Sequence, residues 1–179
     1  AKNKNCKVVY AGSSSIHNGK YENPYSFSKD VAEQICYMYK ELFDVNMSIC
    51  RFYNVYGDYQ LTDGEYAAVV GIFLEQFKKG EPLTITGDGL QRRDFTHVDD
   101  IVEGMILISE TDWELVELGS GKNYSINELA EMFNHETIYI DERPGEARET
   151  LCDLTITQER IKYDPKGNLE KYVKGEISE

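Results

Sequence analysis

Apolar and polar positions along this chain switch repeatedly between a period of two and a period of 3.6. "KVVYAG" at 7–12 is a short apolar run of β-branched and aromatic residues closed by Gly12, which predicts a buried strand. "PYSFSKDVAEQICYMYKELF" at 24–43 has Val31, Ile35, Met38 and Leu42 at helical spacing and Pro24 where a first helical turn tolerates it. "VNMSICRFYNVYG" at 45–57 reads as a second buried strand ending at Gly57. A polar, turn-rich stretch at 58–66 precedes a helix in "YAAVVGIFLEQFKKG", closed by Lys78, Lys79 and Gly80.

The remaining chain continues the alternation. "PLTITGDG" is a strand into a glycine turn, and "FTHV" at 95–98 is another strand. "DDIVEGMILIS" is a helix with Asp99 or Asp100 as its cap. "ELVELGSG" is a strand, and "SINELAEMF" is a helix with the capping box Ser125 and Glu128. "TIYIDERPG" is a strand, and 155–179 forms two short helices. Strands alternating with helices predict an α/β fold with a mostly parallel sheet covered on both faces.

The 179 residues suffice for one domain with a real core, and 41% hydrophobic with 28% charged residues marks a soluble globular chain. No apolar run approaches a membrane span and no secretory leader is visible. A net charge of −13 argues against nucleic acid as a partner but leaves an anionic small molecule open where arginines converge. Cys6, Cys36, Cys50 and Cys152 are scattered without metal-ligand or disulfide-scaffold spacing, so free thiols in a cytoplasmic setting and no metal are expected.

The candidate chemistry lies in "SSSIHNGKYENPYSFSK" at 13–29. Tyr25 and Lys29 stand four apart, on one side of the predicted helix. An ammonium beside a phenol favours the phenolate and tunes it for proton exchange near neutral pH. A hydroxyl of Ser13, Ser14 or Ser15, at the carboxyl end of the preceding strand, could share that proton, and open α/β sheets bind ligands at such ends.

Three segments in this order resemble the extended short-chain dehydrogenase/reductases, the NAD-dependent nucleotide-sugar epimerases and dehydratases. They are "VVYAGSSS" with "PYSFSK", "RFYNVYG" at 51–57 and "GDGLQRRDFTHVDDIVEG" at 87–104, followed by "LGSG" at 118–121 and "RPGE" at 143–146. The resemblance, which extends to UDP-galactose 4-epimerase-like proteins, implies the C-terminal part of a Rossmann-like sheet plus a small α/β substrate-binding region. Residues 1–60 and 94–120 would form the core, and 61–93 and 121–179 the substrate region, within a single domain over 1–179.

It also implies roles. Tyr25 is the acid/base for hydride transfer between sugar and NAD, and Lys29 tunes it and holds the nicotinamide ribose. Ser13 is the catalytic hydroxyl, with Ser14 the runner-up and a substrate contact. Tyr53 and Ala11 lie near the nicotinamide. Asn54, Arg93 and Arg143 bind the nucleotide-sugar diphosphate or its ribose, a task suited to the planar guanidinium fork. The bare residues alone read as a turn-holding Asn54, an Arg93 paired with Asp94 or Asp99, and a loop charge at Arg143. His17 and His97 are assigned no role.

Departures from the family pattern shape these expectations. Dehydrating members carry an acidic pair after the catalytic hydroxyl, where this chain has Ser14 and Ser15, which favours an epimerase or a reductase. "IHNG" replaces the usual valine-tyrosine-glycine. No Gly-x-x-Gly-x-x-Gly turn for a dinucleotide pyrophosphate occurs in the sequence, so the chain alone is expected to bind NAD weakly or not at all. The first strand is expected to be an open sheet edge, so association follows, with a second copy or with a separate chain supplying the amino half. A non-catalytic nucleotide-sugar-binding or oligomerisation module is the alternative from another class.

Overall fold

The first strand, β1 (Val8–Ser13), pairs in parallel with β2 (Met47–Phe52), which pairs in parallel with β6 (Leu115–Leu118). The structure is a computed structural model that describes residues 1, 6–64 and 66–178. Between β1 and β2 run a 3-10 helix, Ser14–Asn18, and α1 (Pro24–Phe43). The side chain of Asn23 accepts from the Ser26 amide and Pro24 occupies the first turn, so both α1 start signals act together.

Helices cover both faces of this sheet. Ile49 and Arg51 point toward α1, where Arg51 meets Glu33. The alternate residue Cys50 packs with Val116 and Leu118 against Ile101 and Ile108 of α3 (Val98–Ser109). Burial on both faces explains why β2 reads as a near-continuous apolar run.

The expected second strand is in fact two strands. At Tyr53 the chain leaves the first sheet, after the Tyr53 amide donates to Leu118 O, and β3 (Asn54–Tyr56) enters another. There β3 pairs in parallel with β5 (Arg92–His97), whose first half pairs antiparallel with β7 (Asn123–Ser125). β5 starts at Arg92, earlier than the expected 95–98. Polar side chains hide both this start and β7 from an apolar-run reading.

A second core assembles around these strands. α2 (Val69–Lys79), β4 (Leu83–Thr86) and α4 (Ile126–Phe133) contribute Phe73, Leu83 and Phe133, and α6 (Leu169–Glu176) contributes Val173. β4 pairs in parallel with β8 (Thr137–Ile140). The capping box of Ser125 and Glu128 is present as expected. The two expected tail helices are α5 (Thr155–Ile161) and α6.

Two expectations change. The cap of α3 is His97, whose Nδ1 accepts from the Asp99 amide, rather than Asp99 or Asp100. Asp100 is instead buried and accepts from the amides of Lys166 and Gly167, anchoring the approach to α6. The apolar stripe of α1 marks the helix correctly but faces outward: Ile35, Met38, Tyr39 and Leu42 are exposed, and the buried residues are Ser26 and Glu33. Among the described residues β1 is an edge strand, as expected.

Asp94 organises the second half. Fully buried, its carboxylate accepts from Thr96 Oγ1, the amide and hydroxyl of Ser120, and the amides of Gly121 and Cys152. It thereby joins β5, the turn after β6 and the segment after β8. Gly119 is required in this junction, because a Cβ there would lie 2.2 Å from Cys152 Cβ. Asp94→Ala strands these buried donors and is expected to cost about 3 kcal/mol or more of unfolding free energy. Denaturant titration tests this, and a loss below ~1 kcal/mol would show that the junction does not depend on the carboxylate.

Candidate active site

The carboxyl end of β1 delivers Ala11, Gly12 and Ser13 to a cleft of about 350 Å³. Its near wall is the 3-10 helix and the first turns of α1, and its floor is the crossing segment Phe52–Val55. Arg93 of β5 and Gly145, Ala147 and Thr150 from the segment after β8 form the far wall.

Tyr25, Ser26 and Lys29 reach the cleft from the first turns of α1. Lys29 Nζ donates to Ala11 O at 3.0 Å, which pins its stem across the strand end. The same ammonium lies 5.8 Å from the Tyr25 ring centroid and 5.6 Å from that of Tyr10. Tyr25 is half-exposed, so its phenol is open to the cleft and to solvent. Ser13 Oγ accepts from the Ser15 amide and donates to Ser15 Oγ at 3.0 Å. Ser13 thus caps the 3-10 helix as well as lining the cleft, and Ser14 lies buried beside it.

Arg93 is only 8% exposed, and burial pushes its guanidinium below the ordinary value against the opposing charge of Glu146. It donates to Glu146 Oε1 at 3.0 Å and to Arg92 O. It pairs with neither Asp94 nor Asp99. Asn54 Nδ2 donates to Asp94 O and to Thr150 Oγ1, which leaves its carbonyl for a ligand. The structure therefore brings Ala11, Ser13, Ser14, Tyr25, Lys29, Tyr53, Asn54 and Arg93 to one cleft. Arg143 is exposed and outside the lining, two residues before Gly145, which belongs to it.

A polar network beneath the floor escapes the motif reading. Glu33, 3% exposed, takes Arg51 Nε at 3.1 Å and Nη2 at 2.8 Å. Gly12 makes room for this carboxylate, since a Cβ there would lie 2.8 Å from Glu33 Oε1. Arg51 Nη1 reaches Glu117 Oε1 at 3.5 Å. Glu117 also accepts from Tyr53 Oη at 2.8 Å and meets His17 Nε2 at 2.5 Å. Burial works against the charge on Arg51, but Glu33 and Glu117 outweigh it and raise its value. Burial first, and then the bond to Glu117, push the Tyr53 phenol upward. For Glu117, burial opposes ionisation, but the hydrogen bonds of His17 and Tyr53 and the nearby charges hold its carboxyl below the ordinary value. Two signals point to the network: Glu33 is one turn beyond Lys29, and Arg51 is a charge inside a buried strand.

The sequence model of the NAD dependent epimerase/dehydratase family matches residues 1–126. The UDP-glucuronate 4-epimerase of Thermodesulfobacterium geofontis is 28% identical, over 96% of this chain and 58% of its own length. The crystal structure of UDP-glucuronic acid 4-epimerase from Bacillus cereus, in complex with UDP-glucuronic acid and NAD, is 26% identical with a TM-score of 0.87, covering 96% of this chain and 60% of that one. UDP-glucose 4-epimerase from Thermotoga maritima, with UDP-glucose, is 28% identical with a TM-score of 0.87, covering 96% and 62%. The chain thus spans little more than half the length of these relatives.

The depressed Glu117 carboxyl carries a pH signature. A group with a lowered folded-state value contributes stability that is full above its unfolded value, about 4.3, and is lost as pH falls through the folded value. Between about pH 5 and pH 3, unfolding free energy should fall more steeply for the unaltered protein than for Glu117→Gln. Denaturant titration across that range decides, and parallel curves would contradict the assignment.

Proposed function

Because the chain belongs to the NAD dependent epimerase/dehydratase family, we propose that the whole protein is an NAD-dependent epimerase of nucleotide sugars and that these residues form the substrate side of its site. β1, β2 and β6 belong to a Rossmann-like sheet of the kind that these enzymes share. The observation that carries the proposal is the convergence of Tyr25, Lys29 and Ser13 with the buried guanidinium of Arg93 in one cleft. UDP-sugars are the favoured substrates, since the similar proteins named above are UDP-sugar 4-epimerases.

The donor set fits the nicotinamide end of NAD: a lysine ammonium, a tyrosine phenol and the Ala11 strand end share one rim. NAD, when bound, would supply the redox chemistry by taking a hydride from a sugar carbon and returning it to the opposite face. Tyr25 takes the proton of the hydroxyl on that carbon and later gives it back, a transfer that its half-exposed phenol can make within the cleft. Ser13 Oγ hydrogen-bonds the same sugar oxygen. Lys29, pinned by Ala11 O, keeps its ammonium beside the Tyr25 ring, at the rim where the nicotinamide ribose would lie. Arg93 binds diphosphate oxygens, with Glu146 giving up its place or sharing the guanidinium. Asn54 presents its carbonyl nearby, and Arg143 meets the distal phosphate or ribose. Ser14 and Ser15 offer no carboxylate, which disfavours dehydration.

The outward stripe of α1 and the open edge of β1 require cover. We propose that a second copy or further polypeptide supplies it, because Ile35, Met38, Tyr39 and Leu42 lie together on an exposed helix face. Light scattering of this chain by itself at high concentration should therefore give more than one chain's mass, and a monodisperse monomer overturns this part of the proposal.

Turnover of UDP-sugar epimer pairs by the whole protein tests the chemistry. Tyr25→Phe should lower kcat by ~10²–10⁴-fold with little change in KM. Arg93→Ala should weaken UDP binding by ~10–100-fold, read by calorimetry. Unchanged turnover for Tyr25→Phe would remove the proposed role.

A further inference from the structure

Glu117 lies one residue before the end of β6, and its main chain is held on two sides. It is in register with Arg51 of β2, and its amide and carbonyl both bond Thr157 Oγ1 of α5. From this fixed root its carboxylate reaches two different walls of the cleft. Oε2 accepts from Tyr53 Oη at 2.8 Å, under the floor, and Oε1 meets His17 Nε2 at 2.5 Å, in the turn that follows the serines. Arg51, itself clamped by Glu33, completes the site at 3.5 Å.

The 3-10 helix that carries the serines spans only Ser14–Asn18, and so short a helix holds itself weakly. It is tied locally by the Ser13 cap on the Ser15 amide and by the Gly19 amide on Ile16 O. Apart from its continuity with β1, a side-chain tie to the sheet is made by His17 to Glu117. Ser13 ends β1 in register with Phe52, so the sheet sets its main chain, while the turn sets the direction of its hydroxyl through the Ser15 amide and hydroxyl. A proton-carrying hydroxyl loses effect when it moves by a fraction of an ångström.

We propose that Glu117 is a positioning residue that, through His17 and Tyr53, locks the serine turn and the cleft floor into one geometry. The inference rests on the proposed reading of Ser13 as a proton-sharing group. It assigns His17 a role that its exposed place in a short 3-10 helix does not suggest. Glu117 touches no substrate; it acts through the two side chains it holds.

The test uses the whole protein and the variants His17→Gln, Tyr53→Phe and Glu117→Gln, each alone and combined with Ser13→Ala. His17 has a side chain 45% exposed, so its variant leaves the core intact even if Glu117→Gln folds poorly. His17→Gln should lower kcat by ~10-fold with KM within about twofold, and in the Ser13→Ala background its effect should shrink below ~2-fold. An equal loss in both backgrounds, or no loss at all, overturns the proposal, since a merely structural role gives additive effects. If Ser13→Ala itself leaves turnover unchanged, the reading of Ser13 fails, and amide hydrogen exchange decides the positioning claim separately. In that arm, His17→Gln and Glu117→Gln should each speed exchange of the Ser15 amide by ~10-fold or more, and unchanged exchange overturns it.

Discussion

The ion pair between Glu33 and Arg51 is the contact on which the cleft depends. It lies where α1 crosses the carboxyl ends of β1 and β2, and it sets the rotation and height of the helix relative to the sheet. Lys29 is one turn before Glu33 and Tyr25 two turns before, so their positions over the strand end follow from that registration. A buried pair of this kind adds little net stability, because desolvation offsets the attraction. Its effect is to penalise every other registration, in which one of the two charges would be buried alone at a cost of about 3–5 kcal/mol. Gly12 belongs to the same constraint, since a side chain there would occupy the space of the Glu33 carboxylate.

The same device recurs farther along the chain, without a counter-ion among the described residues. Asp94 and Asp100 are buried acceptors for loop amides, and each holds a segment that has few apolar residues of its own. Carboxylates with several short-range donors can remain buried where a solitary charge could not. An acidic chain thus uses part of its excess charge as internal ties for irregular backbone.

Legibility followed the range of the physics. The start of α1 was readable because Asn23 and Pro24 act within one turn, and the capping box at Ser125 was readable for the same reason. The break at Tyr53 was not, because "MSICRFYNVY" keeps strand-forming residues on both sides of it and only the change of strand partner, β6 to β5, reveals two sheets. His97 displaced the expected aspartates as a cap because its ring nitrogen reaches the Asp99 amide while Asp100 is drawn into the core. In the cleft, the meeting of Ser13, Tyr25 and Lys29, the set we propose for proton transfer, was visible as spacing within residues 13–29. The supports beneath it were not, since Glu33, Arg51 and Glu117 come from three elements far apart in sequence. Arg143 matched a motif, yet its side chain lies outside the lining, while Glu146 three residues on is the one that reaches Arg93.

The crossing at Tyr53 has a thermodynamic consequence. Each of the two sheets has its own apolar cluster, and the cleft opens along the line between them. A ligand that spans this line, touching Ser13 and Lys29 on one side and Arg93 on the other, adds its binding free energy to the association of the two clusters. That contribution grows as RT ln(1 + [L]/Kd) and is lost if either cluster melts. A ligand bound across the cleft would thus act as a second fastener between the two clusters, beside the one that Asp94 already makes.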